Sequence, residues 1–205
     1  MIEYDHEPIR GLPGDLPEGE RILWQGAPDA AIFARSALFT RWIAGYFAAL
    51  AIVAMASGSL FGLAAIAVTG SAAIGLLMLF ARLVAKTTVY TITNQRIVLR
   101  IGVALNKCIN LPLKLVGGAE LRSQAMGHGD IALSLVGQHR LGYAMLWPHA
   151  RPLRFGAPQP MLRAISDADQ VATTLARACA AVVPNERSQP SPSREPSRGL
   201  SELPA

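Results

Sequence analysis

Residues 42–81 read WIAGYFAALAIVAMASGSLFGLAAIAVTGSAAIGLLMLFA and hold no Asp, Glu, Lys, Arg or His over forty positions. One bilayer crossing needs about 20 apolar residues, so this stretch has room for two crossings. Backbone N–H and C=O groups that face lipid must be paired within their own segment, which predicts that both crossings are helices. The sequence therefore predicts an integral membrane protein and excludes a wholly soluble one.

The apolar stretch is divided near its middle by Ser57-Gly58-Ser59, a cluster of residues that favour turns. The first span is predicted from about Thr40 to Ser57, and the second from Leu60 to Ala81. Residues 40–82 are therefore predicted to form a two-helix transmembrane hairpin.

Basic residues beside the hairpin indicate its orientation. Arg35 and Arg41 precede the first span, Arg82 and Lys86 follow the second, and the turn between the spans has no charge. Lys and Arg are enriched on the cytoplasmic side of membrane helices. Both termini are therefore predicted to lie in the cytoplasm, with the chain as a multi-pass protein of the inner membrane.

Beyond the hairpin, the sequence changes to the pattern of β-strands. Residues 87–93, TTVYTIT, are dense in β-branched side chains and predict a strand, and Asn94-Gln95 predicts a turn into a second strand at 96–101. Further strands are predicted at 107–111, 115–121 and 130–136, with weaker candidates at 143–147 and 152–155. Strands at this spacing predict a small antiparallel sheet, sandwich or barrel.

The C-terminal part divides into a predicted helix and a tail. Residues 167–183 have apolar positions three to four apart, which predicts an amphipathic helix that ends at Pro184 and closes an open end of the β domain. Residues 87–183 thus form one cytoplasmic domain. Residues 184–205 hold five Pro and five Ser, and we predict that this tail is disordered.

Residues 1–39 are predicted to be a cytoplasmic segment rich in Pro and Gly. Within it, Ile22, Leu23 and Trp24 form an apolar island between turn residues, and they are a candidate docking segment. The island is predicted to be a short strand or a peptide against the membrane surface, and to be buried in either case. Asp29 is predicted to cap a short helix over residues 30–38.

The sequence offers little that indicates catalysis. No P-loop, GxGxxG, HExxH or GxSxG motif occurs. Asp130, Ser134 and His139 would supply the residue types of a triad, but they lie too close together within one predicted hairpin. We predict that the protein is not an enzyme and has no cofactor or metal. The net charge of +5 is attributed to the cytoplasmic face, and nucleic-acid binding is not predicted.

A row of small residues marks a candidate helix-packing face on the second span. Ala67, Ser71 and Gly75 lie four apart, and such spacing lets helix backbones approach closely. The row could pack against the first span within the hairpin or against helices of other proteins. The sequence leaves both alternatives open.

Three stretches together resemble a known family. They are residues 7–13 (EPIRGLP) with 16–28 (LPEGERILWQGAP), the two-span hairpin, and residues 88–98 (TVYTITNQRIV). The last stretch resembles the start of bacterial pleckstrin-homology-like membrane domains. The whole order, over about residues 4–183, resembles the photosynthetic-complex assembly protein family PuhB.

The resemblance implies a fold and a function. The implied fold of residues 87–183 is a pleckstrin-homology-like antiparallel barrel closed by a C-terminal helix. The implied role is assembly of the reaction centre and core antenna in the intracytoplasmic membrane of a purple bacterium, through binding of reaction-centre subunits such as the H subunit. The alternative is a general membrane-anchored adaptor or lipid-surface sensor. Whether the chain forms a homodimer is left open.

Overall fold

Two layers of antiparallel sheet, a C-terminal helix and a long helical hairpin make up the computed structural model, which describes residues 11–103, 106–137 and 141–187. The opening residues 7–10, His139 and the tail 188–205 lie outside the described residues. The elements in chain order are β1 (Ile22–Gly26), α1 (Ala30–Ser36), α2 (Thr40–Ala56), α3 (Leu60–Thr87), β2 (Val89–Thr93), β3 (Arg96–Ile101), β4 (Lys107–Pro112), β5 (Val116–Ser123), β6 (Gly129–Leu135), α4 (Tyr143–Leu146), β7 (Met161–Ile165) and α5 (Ala168–Arg187).

Helices α2 and α3 form the predicted hairpin around the turn at Ser57–Ser59. Gly58 adopts a φ of +67°, which glycine accepts at no steric cost. The Ser59 hydroxyl caps α3 by accepting a hydrogen bond from the Gly62 N–H at 3.0 Å. Helix α3 continues to Thr87, past the predicted end at Ala81, and its last turns pack on the β domain through Ala81 and Val84.

One described helix, α3, is long and apolar enough to cross a membrane by itself, and only 6% of its most apolar window is buried. Helix α2 reaches the required length only together with α1, and the pair is bent by 63°. The bend lies at Phe39, which has a left-handed φ of +53°. The helical hairpin is therefore present, whereas two full membrane crossings remain a prediction.

The β domain has two antiparallel sheets with strand orders β1-β2-β3-β4 and β5-β6-β7. Within the described residues no strand pairing joins the two sheets, so the barrel alternative is wrong. The chain leaves the first sheet through a 3-10 turn at Leu113–Leu115 and starts a new one. The main core lies between the sheets and α5, and its fully buried side chains include Leu99, Leu133 and Leu175.

Some predicted elements near the C-terminus are wrong. Residues 143–147, predicted as a strand, include helix α4, because Ala144, Met145 and Leu146 favour helices. Residues 152–155 lie in a loop that turns at 152 and 153, and the strand lies later, at β7. Helix α5 continues to Arg187, so the predicted end at Pro184 is wrong, although an interior proline removes an N–H donor and crowds the preceding turn.

A second, smaller core joins the hairpin to the β domain. It contains Phe33 and Ala34 of α1, Ala81 and Val84 of α3, and Ala164 of β7. The predicted N-cap of α1 is confirmed, because Asp29 Oδ1 accepts a hydrogen bond from the Ile32 N–H at 2.9 Å. The helices at the base of the hairpin are therefore packed directly on the second sheet.

Candidate functional site

The small-residue row of α3 lies on the outer face of the hairpin. Ala67, Ser71 and Gly75 are all exposed, and a Cβ atom added at Gly75 would meet nothing within 4 Å. Gly70 faces the other way, where an added Cβ would lie 3.0 Å from the Phe47 ring. In this structure the row therefore does not pack against the first span.

Large apolar side chains cover the same outer surface. Leu60, Phe61, Val68 and Leu76 are each at least 70% exposed. Soluble monomers rarely expose contiguous apolar patches larger than a few hundred Å². The hairpin surface therefore requires an apolar covering, which lipid or other helices would supply.

The candidate docking segment Ile22–Trp24 belongs to β1, the edge strand that pairs with β2. Trp24 packs against the main core, and its ring lies so close to Gly26 that a Cβ atom there would collide with it. Ile22 and Trp24 are half-buried, whereas Leu23 points the other way and is 36% exposed, so the prediction that all three are buried is met only in part by Ile22 and Trp24 and is wrong for Leu23. Successive side chains of a strand alternate between faces, which explains the difference.

An ion pair that sequence analysis missed lies beside this strand. Arg96 donates to both carboxylate oxygens of Glu20, with Nε–Oε1 and Nη2–Oε2 distances of 2.9 and 3.0 Å. The Thr93 hydroxyl donates to Glu20 Oε1 at 2.7 Å, and Asn94 accepts a hydrogen bond from the Arg21 N–H at 2.8 Å. Two of the three stretches that support the family resemblance, residues 16–28 and 88–98, are therefore in contact.

A buried series of hydrogen-bonded side chains links the base of the hairpin to the second sheet. The Arg163 backbone N–H donates to the Tyr90 hydroxyl at 3.2 Å, and this hydroxyl lies 2.6 Å from His149 Nδ1. His149 Nε2 lies 3.3 Å from Thr88 Oγ1. Tyr90 can donate to Nδ1, so these contacts fit a neutral imidazole with its proton on Nε2. The Phe33 ring packs beside it.

Burial shifts the pKa values of His149 and Tyr90 in this series of hydrogen bonds. It lowers the pKa of His149 to about 3, and the nearby Arg163 guanidinium adds to the effect. Burial likewise raises the pKa of Tyr90 above its usual value. Asp130 is itself buried and accepts a hydrogen bond from the Ala164 N–H at 2.8 Å. These groups are enclosed by protein, and their hydrogen bonds join the base of the hairpin to the second sheet.

A groove of about 830 Å³ lies between β5 and α5 and is lined mainly by apolar side chains, including Leu121, Ile131 and Leu175. Cys179 lies in it, and partial burial raises the pKa of its thiol. The thiol is therefore protonated at neutral pH and is a poor nucleophile. Within the described ranges, no three His, Cys, Asp or Glu side chains come together where they could hold a metal ion.

A family model described as the bacterial PH domain matches residues 38–178. The chain belongs to this family. The match includes the helical hairpin and strands β2 to β7, whereas β1 lies outside it. The pleckstrin-homology-like fold implied by the resemblance is confirmed.

Two other proteins are similar to this bacterial PH domain protein. It is 39% identical over 189 residues to an uncharacterized 23.7 kDa protein in the puhA 5' region of Rhodobacter capsulatus, covering 87% of this chain and 88% of that one. It also resembles a crystal structure of a DUF1696 family protein with a pleckstrin-homology domain from Shewanella loihica. That likeness has 17% identity and a TM-score of 0.30, and covers 45% of this chain and 70% of the other.

Proposed function

We propose that this bacterial PH domain protein is a membrane-anchored assembly factor of the PuhB type. In this proposal it binds subunits of the photosynthetic reaction centre, with the H subunit as the first candidate, and the core antenna. The observation that supports the role is the relative at 39% identity, which is named for its position beside the photosynthesis gene puhA. The protein would act by binding and not by catalysis.

The outer face of the hairpin supports a binding role inside the membrane. Lipid tails are as apolar as leucine, so apolarity alone cannot select a partner helix in the bilayer. Selection requires close packing, which small side chains permit. Ala67, Ser71 and Gly75 provide such a face, and the open space beside Gly75 leaves it available to a second protein.

The Gly75→Leu variant tests this face. Added bulk should exclude a close-packed partner helix at a cost of about 1–3 kcal/mol, which is roughly a five- to hundredfold loss of binding. The side chain stays apolar and meets open space, so the level of the protein in the membrane should not change. We expect the yield of assembled reaction centre, measured by near-infrared absorbance of membranes, to fall severalfold.

Gly70→Leu is the matched control for this prediction. Its side chain would collide with the Phe47 ring between α2 and α3. The level of this variant protein in the membrane should therefore fall. Normal reaction-centre yield with normal levels of the Gly75→Leu protein would show that the row faces lipid, and would remove the proposed role of this face.

The proposed membrane topology gives a separate prediction. A cysteine at Ser59, in the uncharged turn of the hairpin, should react with an impermeant thiol reagent added to intact cells. The native Cys108 is exposed on the β domain and should stay unlabelled until the cells are opened. Labelling of Cys108 but not of the Ser59→Cys site in intact cells would mean that the hairpin has the opposite orientation, which would contradict the proposed topology.

A further inference from the structure

A cleft of about 620 Å³ opens where the bend between α1 and α2 meets the tip of the β5–β6 hairpin. Three arginines line it: Arg35 from α1, Arg41 from α2 and Arg122 from β5. The left-handed backbone at Phe39 produces the bend, and the bend brings Arg35 and Arg41 to the same opening. Residues far apart in the chain therefore contribute one basic surface.

The lining of this cleft is basic, although Asp130 lies opposite Arg122 in the β5–β6 ladder, where it is buried and accepts a hydrogen bond from the Ala164 N–H. Among the described residues that line it, none is Asp or Glu. Two ion pairs among the described residues join Arg96 to Glu20 and Arg151 to Glu120, and neither involves a cleft arginine. Three like charges around one opening repel one another and attract an anion.

Two buried polar atoms in the cleft also lack partners. Within the part of the chain that the structure describes, Ser36 Oγ and Gln124 Nε2 are buried without a hydrogen bond, and both residues line the cleft. A buried polar group without a partner costs about 1–3 kcal/mol. Both groups can donate, as the arginines do, so the lining matches a ligand with several acceptor oxygens.

The rim of the cleft is apolar on the side of the hairpin. Phe39 and Trp42 are 52% and 80% exposed at the start of α2. Aromatic rings at the end of a membrane helix favour the level of the lipid headgroups. The apolar surface of α2 continues directly from this rim, so a ligand with an anionic head and acyl chains would match both parts.

We propose that this cleft binds the phosphate headgroup of an anionic glycerophospholipid, with the acyl chains along α2. The inference rests on the membrane location proposed above, and not on the photosynthetic partner. The arginines would bind the phosphate oxygens through charge-assisted hydrogen bonds. The bound lipid would hold the tip of the β5–β6 hairpin against the membrane surface and fix the angle between the β domain and the bilayer.

The test is native mass spectrometry of the full-length chain in detergent containing phosphatidylglycerol or phosphatidylcholine. We expect the wild-type chain to retain phosphatidylglycerol in preference to phosphatidylcholine. Arg122→Gln should weaken phosphatidylglycerol binding by about ten- to a hundredfold, the loss typical of one charged hydrogen bond. Arg122 lies on β5 and is not one of the basic residues that flank the hairpin in the sequence, so its removal leaves the charges that orient the hairpin unchanged.

Arg177→Gln is the matched control, because Arg177 is exposed on α5, outside the cleft. It removes the same charge and should leave lipid retention unchanged. Equal losses in both variants would indicate general charge attraction and overturn the site. Equal displacement of the lipid by inorganic phosphate at matched concentration would also overturn it, since the acyl chains would then contribute nothing. The purified chain is measured alone, so failure here leaves the Gly75→Leu test to decide the assembly role.

Discussion

Replacing Arg96 with methionine should lower the free energy of unfolding by about 3–5 kcal/mol, the cost of removing one partner from a buried ion pair. The Glu20 side chain is only 1% exposed, whereas that of Arg96 is 27% exposed. Removal of Arg96 would leave a carboxylate enclosed by protein without its counter-charge. Methionine keeps the apolar stem of the side chain, so the loss would report the charge and its hydrogen bonds.

Glu20→Gln should cost less than Arg96→Met, about 1–2 kcal/mol, because Arg96 can still reach water. The double variant should recover much of the loss, since neither charge remains buried alone. Denaturant unfolding of the full-length chain in detergent, followed by circular dichroism, would measure all three. Equal losses in the two single variants, with no recovery in the double variant, would contradict the importance of this pair.

The Glu20–Arg96 ion pair could not be predicted from the sequence. Glu20 lies in a segment rich in Pro and Gly, and Arg96 follows a predicted turn, so each residue looks like a solvated charge in its own stretch. The resemblance includes both stretches as separate motifs. Only the pairing of β1 with β2 brings them together, and that long-range contact has no local sequence signal.

Local patterns did predict much of the fold. The β-branched run before Asn94 predicts β2, and the structure has this strand at Val89–Thr93, paired with β3. Strand β7 was missed because Arg163 interrupts a short apolar run after a proline-rich loop. Arg163 is nevertheless buried, donating to the Ala150 carbonyl at 3.1 Å. The buried Arg163 therefore interrupts the hydrophobic alternation by which this core strand would have been predicted.

The same limit applies to the candidate sites. The small-residue row was found because its members share one helix and one spacing. The basic cleft was not found, because Arg35 and Arg41 also explain the orientation of the hairpin and Arg122 comes from a distant strand. The bend at Phe39 that joins them depends on a backbone conformation that aromatic residues rarely adopt.

The stability of the folded protein should decrease as the pH falls from about 6.5 towards 4, in part because of His149. Its pKa is lowered from an ordinary 6.5 to about 3 in the folded state, first by burial and then by Arg163. Between these values the unfolded chain binds a proton that the folded chain excludes, so acid favours unfolding. The slope from one such group approaches about 1.4 kcal/mol per pH unit.

The His149→Asn variant separates this contribution from that of the acidic residues. Asparagine can place a polar atom near the Tyr90 hydroxyl but cannot be protonated in this range. The variant should be less stable than the wild type at pH 7, and the difference should shrink as the pH falls, because only the wild type loses the contribution of His149.

His128→Asn is the matched control, since His128 lies on the β5–β6 turn, outside the buried chain of hydrogen bonds. It should keep the pH dependence of the wild type. Unfolding curves at several pH values between about 7 and 4.5 would compare the three proteins across the window set by the His149 pKa. Parallel pH profiles for wild type and His149→Asn would mean that the imidazole takes up a proton in the folded protein. Its place between Tyr90 and Thr88 would then have to open to water before the domain unfolds.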